Sequence, residues 1–154
     1  MGALVLAGAL LSACGGGPAV DKATAPRDIQ HAYGVLFNFT NRSVDTKVTV
    51  IEGGSSLREA LTQGLSSPLA SLATGAKVTK TTLLSDAACK AADVHTPCAR
   101  VTYDVLGARG PLFSGSSGYA VFSDGKWLVA RSTVCGLLGT MYTTLGKKGA
   151  PPGC

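Results

Sequence analysis

The chain has 154 residues, 45% of them hydrophobic and 15% charged, with a formal net charge of +5. That composition excludes a disordered chain and is long enough for one domain with its own core. The Lys and Arg residues are scattered, only Lys147 and Lys148 are adjacent, and no basic cluster is interleaved with aromatics, so the charge points to anionic envelope surfaces and not to nucleic acid.

Residues 1–13 carry no charge, and Gly2 to Leu11 are all small or aliphatic. A helix over that run spans roughly 15 Å, half of a bilayer's hydrocarbon core of about 30 Å, so it reads as the apolar region of a signal peptide. No Lys or Arg precedes it, which leads us to expect a true start further upstream. Leu11-Ser12-Ala13-Cys14 then resembles a bacterial lipobox, with Cys14 as the lipidated residue and the membrane as a partner through that anchor. Two or three acyl chains, at about 0.8 kcal/mol per buried methylene, hold firmly where one would be marginal. The alternative is a plain secretory signal that leaves Cys14 an ordinary thiol. Residues 14–25, rich in Gly and Ala, read as a tether.

The folded domain is expected over 26–146. Pro26 suits a first helical turn, and Ile29, Ala32, Tyr33, Leu36 and Phe37 form one apolar helical face, ending near Phe39. Val48, Val50 and Ile51 suggest a short strand or an extended link, broken by Gly53-Gly54. Ser56 with Glu59 has capping-box spacing and opens a second helix from Leu57 to about Leu65. Ala76–Ser85 and Ala99–Gly107 are rich in β-branched residues and read as strands. Asp124-Gly125 between two β runs, Gly118–Ser123 and Lys126–Arg131, predicts a type I′ hairpin with Phe122 facing Trp127 and Val121 facing Leu128. Both faces are apolar near that turn, so both are expected to be covered. Val134, Leu137, Leu138 and Met141 have helical spacing, and residues 147–154 form a tail. The order predicts an α+β fold, helices packed on a curved antiparallel sheet of three to four strands.

Five cysteines leave four once Cys14 is set aside, and an even set in an exported chain reads as two disulfides. Three connectivities are open. Position favours Cys89–Cys98, flanking one loop between strands, and Cys135–Cys154, joining the last helix to a tail able to run back along it.

The stretches LFNFTNRSVDTKVTVIEGG (Leu36 to Gly54), ARVTYDVL (Ala99 to Leu106) and GYAVFSDGKWLVARSTVCGLL (Gly118 to Leu138) resemble the mycobacterial low-molecular-weight secreted antigen family. The resemblance implies a cystatin-like or ketosteroid-isomerase-like cone in an exported protein or lipoprotein of actinobacteria, and it brings no catalytic signature. The four-cysteine set departs from the family pattern.

Candidate chemistry is sparse. Cys89, Asp93, His95 and Cys98 fit no zinc spacing, and a disulfide is the better reading. No metal or cofactor is expected. His31 belongs to the solvent face of the first helix and His95 to a loop. Tyr33, Tyr103, Tyr119 and Trp127 are candidate pocket residues, and isomerase-type chemistry there would need a carboxylate beside a buried hydroxyl. Asp104 alternates away from Tyr103, Asp124 sits in the turn, and Glu52 reads as a capping group. Gly115-Ser116-Ser117-Gly118 lacks nucleophile-elbow spacing. The expectation is a non-enzymatic lipoprotein whose domain binds an unidentified envelope protein or polymer. A small enzyme or apolar-ligand carrier using the cone interior is the alternative.

Overall fold

The computed structural model describes residues 19–154; the expected signal peptide and the lipidation site Cys14 lie outside the described residues. Helix α1 spans Ala25–Leu36 with Pro26 in its first turn, and it buries Ile29, Ala32, Tyr33 and Leu36. It stops three residues short of the expected Phe39. The ammonium of Lys47 takes the carbonyls of Leu36 and Asn38, at 2.7 and 2.8 Å, and at 3.4 Å that of Val35, which Phe39 N would need to continue the helix.

The expected strand around Val48 is corrected. Val44–Val48 is a short helix, α2, whose Ser43 side chain accepts from Thr46 N at 3.3 Å. Only Ile51 pairs with the sheet, through a parallel bridge to Val129. The Ser56–Glu59 capping box is also corrected. Ser56 lies inside a 3-10 turn, Gly54–Leu57, and its hydroxyl donates to Gly53 O at 2.8 Å. Helix α3 begins after that turn and runs Arg58–Gly64.

Two short helices had no apolar stripe to announce them: α4, Pro68–Leu72, and α5, Asp86–Ala91. Ser67 and Ser85 cap them by accepting from Ala70 N and Ala88 N. The strands are β1 (Ala73–Leu83), β2 (Cys98–Gly107), β3 (Gly110–Ser123) and β4 (Lys126–Val129), followed by α6 (Arg131–Thr144). The expected boundaries therefore shift: β1 starts before Ala76, β3 extends back to Gly110, and Arg131 belongs to the helix.

The fold is α+β: an antiparallel sheet in the order β1-β2-β3-β4, curled into a half-barrel with helices against it. Phe122 faces Trp127 and Val121 faces Leu128 across the hairpin. Asp124 and Gly125 both have positive φ, 51° and 77°, as a type I′ turn requires.

The concave face packs on α1. Tyr103 of β2 meets the rings of Tyr33 and Phe37, each with centroids 5.1 Å away. The convex face near the hairpin has its own cluster, in which Cys89, Val94 and Cys98 cover Val121 and Leu128. That explains why both hairpin faces are apolar. Cys89–Cys98 and Cys135–Cys154 are disulfide-bonded, the first buried and the second tying the tail to α6.

Candidate functional site

The curl of the sheet outruns the helices that fill it. At the open end, between β2–β3 and α6, lies a groove of about 440 Å³. That is within the range of roughly 300–1,000 Å³ typical of small-molecule sites. Register explains its floor: Tyr103 pairs with Ser116, and Val101 with Gly118, so these residues share the concave face. Leu69, Val105, Phe113 and Leu137 supply apolar wall, while Ser116, Ser117, Ser132 and Thr133 supply hydroxyls.

Gly118 is required by the packing beneath the groove. A Cβ there would lie 2.6 Å from Thr133 Cγ2 and 2.8 Å from Tyr33 Oη. Thr133 is already committed, its hydroxyl accepting from Tyr119 N at 2.7 Å. Tyr33 Oη donates to Tyr119 O at 3.1 Å, and burial holds its phenol well above the ordinary range. Burial raises Tyr103 as well. Tyr103 is only 6% exposed, yet no buried side-chain oxygen lacks a partner among the described residues, and none partners its hydroxyl. Its oxygen is therefore reached by solvent, and the groove is the open space it borders.

The lining includes no Asp, Glu, Lys, Arg or His, in a chain with fourteen basic and nine acidic residues. The carboxylates that acid–base chemistry would need are committed elsewhere. Asp104 accepts from Gly115 N at 2.8 Å. Glu52, read from the sequence only as a capping group, accepts from Arg131 N at 2.9 Å at the start of α6, and its other oxygen meets His95 Nδ1.

Of the four candidate pocket residues, Tyr103 and Tyr119 line the groove. Tyr33 lies fully buried beneath it, and Trp127 lines a separate hollow with Asp28, His31 and Lys126. The structure does not bring the four together. A third cleft, bordered by Glu52, Asp93, His95, Arg131 and the Cys135–Cys154 bridge, carries charges of both signs. His95 is exposed but partnered by Glu52, and Cys89 and Cys98 are bonded to each other, so neither sulfur is available as a thiolate.

Sequence reasoning missed Phe113, Ser116, Ser117, Gly136 and Leu137 as groove residues. The one available signal was glycine where it weakens an element: Gly115 and Gly118 inside a strand, Gly136 inside a helix.

The family model for the C-terminal domain of low molecular weight antigen MTB12 matches residues 21–144. This chain belongs to that antigen family. The match begins just before α1 and ends at the last residue of α6, so it takes in the whole half-barrel and leaves out the disulfide-tied tail. The family is one of secreted antigens. No curated protein and no solved structure matches the chain closely enough to add a relative. Among the described residues, no helix is long and apolar enough to cross a membrane.

Proposed function

We propose that this antigen is a lipoprotein held on the outer side of the cytoplasmic membrane through Cys14, and that its domain is a non-enzymatic module for binding an envelope component. The observation that carries the binding half is the groove without ionisable side chains other than tyrosine. It offers apolar wall and hydroxyls, the means of recognition, and no carboxylate, imidazole or amine within its lining for proton transfer. The antigen family and the two disulfides support an oxidising, exported setting. The anchoring half rests on the lipobox-like Leu11–Cys14 and the uncharged run before it.

The mass of the mature N-terminal peptide tests this reading. A diacylglyceryl-modified Cys14 is expected, with the Cys14→Ser protein leaving the membrane fraction. An unmodified Cys14, or cleavage elsewhere, overturns the anchor.

A further inference from the structure

We infer that the groove between β2–β3 and α6 is a binding site for a single uncharged amphiphile, one with a hydrocarbon chain and a hydroxyl-bearing head. The inference rests on the binding half of the reading above and names its ligand class.

Three independent features converge. The first is charge. A groove that excludes every charged side chain favours a ligand without charge, because an ionic head would find no counter-ion there. The second is a hydroxyl that opens onto the groove. Tyr103 is deeply buried and its hydroxyl has no protein partner among the described residues, yet it borders the groove. An oxygen-bearing ligand would take the place of the solvent that reaches it. Exposed Ser117 and Ser132, both in the lining, are further donors and acceptors for a head group.

The third feature is Gly136. Glycine inside a helix is unfavourable relative to alanine, and a packing contact normally explains it. None does here: a Cβ on Gly136 would meet nothing within 4 Å. The open volume above Gly136 is the groove itself. With no side chain at Gly136, this stretch of α6 leaves the groove open to a ligand. Phe113, 49% exposed, together with Leu69 and Leu137, gives the hydrocarbon chain a surface to cover.

Gly139 provides the control. It lies one helical turn on, also has nothing within 4 Å of a Cβ, and is outside the groove. The probe is octyl glucoside, kept monomeric, added to the isotope-labelled domain while amide shifts are followed. Saturable shifts are expected at Ser117, Gly118 and Gly136. Gly136→Leu is expected to weaken binding by about tenfold or more, the result of filling the site. Gly139→Leu should leave binding unchanged. Replacing the head by sulfate or trimethylammonium, or removing the chain to leave glucose, should also abolish saturation.

The proposal is overturned if no saturable shifts occur, if both leucine variants weaken binding equally, or if the charged amphiphiles bind as well. It is also overturned if the domain sediments with phosphatidylcholine vesicles but takes up no monomer, which would make exposed Leu72, Leu112 and Phe113 a membrane-docking surface. Cys14 takes no part in this experiment, so its failure leaves the anchor standing, and an unmodified Cys14 leaves the groove standing.

Discussion

Glu52 caps the helix that forms one wall of the groove: its Oε2 accepts from Arg131 N at 2.9 Å, across 79 positions of sequence. The same carboxylate reaches His95 with its other oxygen, and the Arg131 guanidinium returns to Ser56 at 2.8 Å and to Gly153. One polar junction thus fixes the α5–β2 loop, the turn before α3, the start of α6 and the tail. A carboxylate at a helix N-terminus also faces the positive end of the macrodipole. Glu52→Ala is expected to destabilise the domain by about 1–2 kcal/mol, the cost of a lost cap. Guanidinium denaturation measures this, and an unchanged midpoint would contradict the capping role.

Lys47 and the core tyrosines give stability a pH profile with two limbs. Burial lowers the Lys47 ammonium from its ordinary 10.5 to about 8. Between those values the unfolded chain keeps a proton that the folded chain has released, so stability rises with pH. Tyr33 and Tyr103 are raised above their ordinary 10.0. Their contribution is whole below pH 10 and is lost as pH climbs past it, because there the unfolded chain releases protons the folded chain holds. Denaturation at a series of pH values should rise from pH 8 and then fall beyond pH 10. Lys47→Met should flatten the rising limb alone. At neutral pH it should also cost about 1–3 kcal/mol, through the carbonyls of Leu36 and Asn38 left without a donor.

The two disulfides should separate under mild reduction. Cys89 and Cys98 are 0% and 1% exposed, whereas Cys154 is exposed and its bridge borders the charged cleft. A dithiol titration followed by alkylation and peptide mapping should label Cys135 and Cys154 first. Each bridge closes a loop worth about 3 kcal/mol in the chain-entropy account. Labelling of Cys89 before Cys154 would contradict the assigned burial.

Two glycine substitutions should move stability in opposite directions. Gly118→Ala drives a methyl to within 2.6 Å of Thr133 and should cost about 1–3 kcal/mol. Gly139→Ala enters open space in a helix and should stabilise by about 0.5–1 kcal/mol. Thermal unfolding of the pair distinguishes them.

Local chemistry made some elements readable from sequence. The face formed by Ile29, Ala32, Tyr33 and Leu36 marks α1, and Asp124-Gly125 sets the hairpin register. Other elements depend on distant partners. Val48–Ile51 is β-branched and suggests a strand, but the Ser43 cap prevails over propensity and turns Val44–Val48 into helix. Helices of five or six residues, such as α4 and α5, are too short to show a periodic stripe and are held by the Ser67 and Ser85 caps. The first half of β3, Gly110–Ser117, has loop composition and becomes strand because β2 offers a ladder. The groove was illegible for the same reason: Ser116 and Gly118 become its floor only through that pairing. The tyrosines were visible, but which of them border open space depends on where the curl ends.

The central claim is that the groove is the working face of an anchored domain. It is tested most directly by placing a photo-crosslinking side chain at Ser117, on the groove rim, and separately at Thr62, exposed on α3. Both proteins are irradiated in the intact envelope and their masses compared. A discrete adduct at Ser117, with none at Thr62, is the expected result. No adduct at Ser117, or the same adducts from both positions, would contradict the claim.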